Sequence, residues 1–509
     1  MRGQAGFTAL VAGIWLLSST GPYARDAFVV TEIESGGRTV AAEFADLNGD
    51  GRGDLLQWTV EGYPPEEERW ILVYLQDGSG RIPEKPSARW PLPPGVAAYD
   101  LADLLPEPGV ELVLLRAPGV RLLSLGGERP RSVDLSVPGA PTLGVAVDER
   151  GLERLPLVHA DVSGEPWLWV PLPGRAVALS PSGELRAQLQ VGIRANYLIP
   201  PPGPLLFESG LQIYLDAPRL EFGDVDGDGR IDVITSARHE LRVFLQRADG
   251  SLGESPDRVL PLRRVSTADH LRGSGAVRVQ VSDANTDGKP DLLVSYLSGG
   301  VLDPRTLSSL HLNQDGGWDL QLPDQSFEAE RSWTSDWLSD MDADGRSEWV
   351  RVSISLSLPE LVEMLLTRSL DAKVEVYRPD PAGLFETEPT AQRELSVPID
   401  FGSYRPRGFT PTLEADLNQD GHRDLLASGA GDEIEVFLGG PGRNFRKRNA
   451  SQPMDTRGRI RFGDVTGDGL TDLLIFDPRR PDAPLRVARN TGALVEGGAG
   501  SDADRRPAD

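Results

Sequence analysis

Apolar and polar positions follow a repeating rhythm along this chain. A short run of consecutive apolar residues comes first, as in DLLQW at Asp54 or DVIT at Asp232. After a gap, a stretch alternates apolar with polar and ends in turn-forming residues. WILVYLQDGSG, VRLLSLGGE, AVALSPSGEL, LRVFLQRADGSL, LSSLHLNQDGG, VEVYRPDPAGLF, IEVFLGGPGRNF and LRVARNTGAL all have this form. A period of two ending in Asp, Asn, Gly or Pro predicts a strand entering a hairpin turn. The continuous run predicts a buried strand, and at least one further strand follows each turn. Each unit thus reads as a small antiparallel sheet of about four strands, the content of one propeller blade, with lengths near sixty residues except for a long unit after Asp340 and a short final one.

An acidic loop precedes most of the apolar runs. In FGDVDGDGRIDVIT, side-chain oxygens stand at Asp224, Asp226, Asp228 and Asp232, the first, third, fifth and ninth positions, with Gly229 at the bend. That spacing turns the oxygens around one centre, and the carbonyl of Arg230 can add another. Hard oxygen ligands in a flexible loop suit Ca²⁺, which takes six to eight at about 2.3–2.6 Å. The spacing matches the start of an EF-hand loop, but the twelfth-position Glu is missing and a strand begins at once.

The same loop recurs with Asp46, Asn48, Asp50 and Asp54; with Asp283, Asn285, Asp287 and Asp291; and with Asp340, Asp342, Asp344 and Glu348. It returns with Asp416, Asn418, Asp420 and Asp424, and with Asp464, Thr466, Asp468 and Asp472, making six. Two worn copies keep the beat. Around Asp103, Glu107 and Glu111, Leu105 cannot ligate and Pro108 replaces the glycine. Around Asp161 and Ser163 the loop is shortened, and tight binding is expected of neither copy. Acidic turns can simply connect strands. Six with one spacing instead predict metal, because carboxylates clustered so closely repel one another without a cation. A loop that hands straight to a core strand reads as a fold staple rather than a reaction centre.

Composition narrows the class. The chain has 509 residues and a net charge of -25, from 77 acidic and 52 basic side chains, which argues against nucleic-acid binding. The absence of cysteine excludes disulfides, thiolate metal sites, a cysteine nucleophile and an acyl-cysteine anchor. Residues 1–24, with Arg2 and an apolar run from Phe7 to Leu17, read as a signal peptide, so export to the periplasm, cell surface or medium is expected. No other segment is apolar enough to span a membrane.

Residues 25–494 are read as the propeller. Within it, about 357–370 is expected as a helical insertion, with Ser357 as cap, Pro359 in the first turn, and Leu361, Met364, Leu365 and Leu366 at helical spacing. The Pro-rich stretch near Ile199 reads as a long inter-strand loop. The last unit lacks a fourth strand, which AFVVTEIES before the first loop can supply, closing the ring and removing free edges. The Gly-, Ala- and Asp-rich tail, 495–509, is expected to be disordered.

The pattern F-x-D-x-N-x-D-G-x-x-D-L followed by an apolar strand resembles the FG-GAP and VCBS-type repeats of integrin α subunits and many bacterial secreted proteins. The resemblance covers nearly the whole expected mature chain. It implies a β-propeller whose loop aspartates bind Ca²⁺ on one face, carried over to the four side chains of each of the six loops and not to the worn copies. The family ring usually has seven blades, whereas eight beats occur here; eight is the expectation and seven the alternative.

Other motifs add little. Arg52-Gly53-Asp54 spells a cell-adhesion tripeptide, but Asp54 is committed to its loop. His159, His239, His270, His311 and His422 show no metal or triad spacing, and His422 is expected to face solvent. No G-x-S-x-G elbow, H-E-x-x-H helix or phosphate-cradling loop is present. The tryptophans are expected to pack between blades. The functional expectation is a calcium-stabilised, non-catalytic binding, adhesion or scaffold module for a protein or glycan partner. The alternative is a polysaccharide lyase or hydrolase on the same ring, which a cluster of Arg, His or Lys with Tyr at an open mouth would favour and a plugged mouth would disfavour.

Overall fold

The computed structural model describes residues 26–498 apart from 35, 63–65, 79–80, 117–118, 128, 140–151, 161–163, 193, 199–211, 217, 238, 264, 267–268, 271–274, 301–302, 315, 356–357, 401–404 and 442–443. The expected signal peptide, the shortened loop at Asp161 and Ser163, the cap Ser357, the Pro-rich stretch beyond Leu198 and the tail from 499 lie outside the described residues.

Eight blades of four antiparallel strands succeed one another along the chain, two of them extended by a short fifth strand, so the larger blade number holds. Blades 1 to 7 span residues 38–91, 96–136, 158–189, 219–261, 276–330, 332–400 and 412–453. Blade 8 takes three strands from 459–490 and its outermost from Phe28–Ile33, which pairs Phe28 with Asn490 and Ile33 with Leu485. The first and last segments of the ring therefore share one sheet, as the missing fourth strand predicts.

The continuous apolar runs become the second strands. Asp54–Glu61, Glu111–Arg116, Asp424–Gly429 and Asp472–Phe476 are buried along nearly their whole length, because each sheet is packed on both faces by its neighbours. The outermost strands Arg258–Pro261, Gln325–Glu330 and Ala450–Pro453 alternate between half-buried and exposed positions. Eight apolar clusters fill the eight gaps between blades. Trp58 of blade 1 meets Tyr99 of blade 2 at a ring separation of 4.3 Å, and Trp349 of blade 6 meets Phe327 of blade 5 at 4.6 Å. The gap between blades 8 and 1 holds Ile33, Leu474 and Val487 against Leu55 and Tyr74, so hydrophobic burial itself closes the circle.

Insertions decorate this ring. Glu153–Arg154 pairs in parallel with Ala98–Tyr99 on the innermost strand of blade 2, placing the segment in the central channel. A hairpin of Arg194–Leu198 and Gln212–Asp216 stands between blades 3 and 4 and flanks the Pro-rich stretch. The helical insertion is α1, Leu358–Thr367, between the second and third strands of blade 6. A second short helix, Ala493–Gly498, begins the tail, with Leu494 buried in the cluster between blades 7 and 8. Order thus extends past residue 494, because that leucine finds an apolar gap to fill.

Candidate metal centres

Each acidic loop joins the first strand of its blade to the second, so all of them gather on one face of the ring. The first-position carboxylate organises the bend. Asp224 accepts the N–H groups of Gly227 (2.8 Å), Asp228 (3.0 Å) and Gly229 (2.7 Å), and Asp46 does the same for Gly49, Asp50 and Gly51. Gly229 has a φ of +83°, the left-handed bend that a side chain would strain. The fifth-position carboxylate accepts one further N–H two residues on, as Asp228 does from Arg230 at 3.0 Å.

The ninth position behaves differently. Asp54, Asp291, Asp424 and Asp472 are completely buried, and Asp232 and Glu348 nearly so. One oxygen of Asp472 accepts Val465 N–H (2.9 Å) inside the loop, and the other accepts Asn490 N–H (2.7 Å) at the end of the third strand. Asp54, Asp232, Asp291 and Asp424 repeat that double bond with Leu47 and Gln76, Val225 and Gln246, Ala284 and Asn313, and Leu417 and Gly439. Even the worn copy retains part of it, since Glu111 accepts Leu104 and Leu105 N–H. These carboxylates tie loop to strand, and their second lone pairs stay available to a cation.

Burial penalises the charged form at this position. It pushes Asp424 and Glu348 up to about 7, and Asp291 and Asp472 up to about 6, against the opposing pull of the backbone N–H bonds. Nearby loop carboxylates push in the same direction, Asp416 and Asp420 on Asp424, and Asp342, Asp344 and Asp340 on Glu348.

Carboxylate oxygens of Asp224, Asp226 and Asp228 lie within 4.8 Å of one another, as do those of Asp340, Asp342 and Glu348. Among the described residues these are the acidic groups so gathered; elsewhere the third position is Asn48, Asn285, Asn418 or Thr466. In three loops the third-position oxygen, Asp226 Oδ1, Asp342 Oδ1 or Asn418 Oδ1, is buried with no hydrogen-bond partner among the described residues. A buried, unpaired oxygen costs roughly 1–3 kcal/mol. A cation at the loop centre would satisfy it, and an all-oxygen set of this kind fits Ca²⁺.

The loops also bind one another. Arg423, just before the ninth position in blade 7, donates Nε–H to the carbonyl of Asp340, the first position in blade 6, at 2.9 Å. Thr471 of blade 8 donates to the Asp416 carbonyl of blade 7 at 3.0 Å. At the equivalent place in blade 1 a Cβ on Gly53 would stand 2.9 Å from the Asp464 carbonyl. A second set of ties was not anticipated from the loops alone. Asn313 donates its side-chain N–H to the Val225 carbonyl (2.9 Å), Asn490 to Leu417 (2.8 Å), and Gln76 to Val465, each reaching the loop of the preceding blade. The signal was present: LNQDGG, ARNTG and LQDGSG each carry an amide at the end of the third strand.

The remaining singled-out residues fall into place as scaffold. Asp54 is buried within its loop, which removes the Arg-Gly-Asp carboxylate from solvent. His422 is half-buried and helps line a cavity of about 370 Å³ between blades 6 and 7. His311 is buried and donates Nδ1–H to the Asp319 carbonyl at 2.8 Å, with burial holding its pKa below the usual value.

The FG-GAP-like repeat family matches residues 224–294 and 416–475, stretches that contain the loops of blades 4, 5, 7 and 8. No curated protein sequence matches the chain. Among solved structures, an Agrocybe aegerita lectin that recognises non-reducing terminal N-acetylglucosamine aligns at 14% identity and TM-score 0.35, over 89% of this chain and 86% of its own. Sqt1 from Chaetomium thermophilum aligns at 11% identity and TM-score 0.41, over 91% and 100%. The Dos1 propeller aligns at 9% and 0.31, over 91% and 95%. The chain is thus an eight-bladed β-propeller that carries FG-GAP-like repeats.

Proposed function

We propose that the ring is an exported, calcium-stapled binding module that presents its surfaces to a protein or glycan partner and carries out no chemistry of its own. The observation that carries this reading is the state of the central channel. Glu43, on the innermost strand of blade 1, is buried and accepts the Tyr99 hydroxyl at 2.7 Å. Arg461 of blade 8 and Arg154 of the inserted segment reach the same carboxylate at 3.3 and 3.4 Å. Burial, together with the Glu43 charge, drives the Tyr99 pKa far above its usual value, so this phenol is held protonated and cannot serve as a base. Glu43, Tyr99, Arg154 and Arg461 are thus bound to one another, a structural knot that spends these acid–base groups on holding blades 8, 1 and 2 together.

Ca²⁺ would be held by the first-, third- and fifth-position side chains of the loops, with the ninth-position carboxylate beneath. It would supply charge neutralisation and rigidity rather than reactivity. Among the described residues no helix is long and apolar enough to cross a membrane. Export rests on the basic start and the apolar run of residues 1–24. The reading is tested by screening the calcium-loaded chain against a glycan array and a partner pull-down while assaying acidic polysaccharides for chain cleavage. Retention of a ligand without turnover is expected; saturable cleavage would overturn it.

A further inference from the structure

On the face opposite the metal loops one cleft is lined by more cations than anions. A cleft of about 960 Å³ crosses blades 6, 7 and 8 there, with Arg368, Arg407, Arg457, Arg479 and Arg480 in its wall against Asp400 and Asp477. Its residues come from connections between second and third strands and from links between blades, which antiparallel geometry places at the end remote from the acidic loops. Five guanidinium groups at one spot in a chain of net charge -25 are a local inversion of sign.

Carboxylates behind the wall hold several of these arginines forward. Asp455 accepts from Arg457 (2.8 Å) and Arg480 (3.0 Å), Asp432 from Arg407 (2.6 Å), and Asp477 from Arg479 (3.2 Å). Asp477 and Asp455 sit deeper than their cations: the Asp477 side chain is 5% exposed and that of Arg479 44%. A guanidinium carries five N–H donors and these pairs use one or two of each, so donors remain for a carboxylate entering the cleft.

Arg368 adds a further sign. It follows α1 in a left-handed conformation with φ of +60°, a place where glycine would avoid a cost of roughly 1–2 kcal/mol. Its backbone is fixed at both ends, the N–H to Met364 O (2.9 Å) and the carbonyl to Ile399 N–H (2.8 Å). Its side chain is exposed at the cleft, with no carboxylate partner among the described residues.

The wall also holds Leu365, Pro398, Ile399 and Pro406 beside the hydroxyls of Thr367 and Ser369, and among the described residues no aromatic ring lines it. Beside it α1 leaves Val362, Leu365 and Leu366 strongly exposed, Leu366 at 80%. A concave, arginine-rich groove with an aliphatic rim matches an extended chain of carboxylates and aliphatic side chains better than a flat membrane.

We propose that this cleft binds an acidic, leucine-bearing peptide segment of a partner protein, a conclusion that rests on the ring being a binding module. The test uses the full chain in Ca²⁺, with a dye-labelled peptide alternating glutamate and leucine, followed by fluorescence anisotropy. A glutamine–leucine peptide, polygalacturonate and phosphatidylserine vesicles form the comparison arms. The glutamate peptide is expected to bind and to weaken as salt rises, and the glutamine peptide to fail. Arg368→Gln with Arg407→Gln should weaken binding roughly tenfold, the scale for two charge-assisted contacts. Arg368→Gln alone, at an exposed side chain, keeps the test intact if the double variant melts early. No binding of the glutamate peptide, or equal binding by both variants, would overturn the site. So would polygalacturonate or vesicles binding in its place with the same sensitivity. Failure of the glutamate peptide with polygalacturonate still retained by both variants would overturn the cleft alone, whereas cleavage of polygalacturonate would overturn the binding-module reading.

Discussion

Replacing Asp472 with Ala probes how the loops hold the ring. The change strips two buried N–H groups, those of Val465 and Asn490, of acceptors at 2.9 and 2.7 Å. An orphaned buried amide costs roughly 1–3 kcal/mol, or about 2–6 for the pair. Part of that is offset, because burying this carboxylate is itself costly, as its pKa near 6 attests. A net loss of about 2–3 kcal/mol follows, a roughly 30- to 150-fold rise in the local opening constant. Amide hydrogen exchange at Val465 and Asn490 reads that opening directly, in chelator, without requiring the whole ring to unfold. The control is Asp468→Asn, at an exposed fifth position whose carboxylate accepts the N–H of Leu470 at 2.9 Å. In chelator it should change exchange by less than about 0.5 kcal/mol. In millimolar Ca²⁺ the ranking should narrow, since Asp468→Asn also forfeits the cation. Equal protection of Val465 and Asn490 in Asp472→Ala and the parent, or an Asp468→Asn effect as large in chelator, would refute the division of labour argued here.

Chelation should lower the melting temperature of the parent chain, with Ca²⁺ restoring it better than Mg²⁺, because the all-oxygen loops suit the larger, less rigid ion; each site filled at a hundred times its Kd adds about 2.7 kcal/mol, and a melt indifferent to both ions would refute stapling. Arg351→Met should destabilise by about 3–5 kcal/mol, since it abandons the fully buried Asp336 carboxylate, now bonded at 2.8 and 3.0 Å. Adding Asp336→Leu should recover much of that in urea unfolding; a double variant no better than the single would contradict the account. Buried His311 has a folded pKa below its ordinary 6.5, so the unfolded chain takes the proton first. Its stabilising share is complete above pH 6.5 and declines as pH falls below it, and His311→Gln should flatten the acid limb of a stability–pH curve.

Much of this architecture was legible because its signals are local. A nine-residue loop carries its own spacing, and the buried second strand announces itself as LL or VI directly behind the last aspartate. The missing strand at one end and the spare strand at the other were equally readable. What lay hidden depends on folding. Arg368, Arg407 and Arg480 are scattered among unremarkable surface arginines, and only the ring's curvature collects them in one cleft. The buried role of Asp472 was hidden for another reason. A ligand and a strand anchor occupy the same position in the loop, and spacing does not separate an oxygen facing a cation from one facing two amides. Leu494, last residue before the Gly-rich tail, gives no periodicity that announces its role, yet it fills a gap between two sheets.

The pairing of Phe28–Ile33 with Leu485–Asn490 has a consequence for how the molecule is made. Seven blades can assemble as the chain emerges, but Phe28–Ile33 must wait for partners synthesised more than four hundred residues later. Until that long-range zipper engages, the early strand is a solitary ribbon and the late sheet shows an unpaired rim to every other copy in solution. A chain stalled or clipped ahead of its final sheet is therefore a candidate for strand exchange between molecules, and whatever protects it before that moment must release it late.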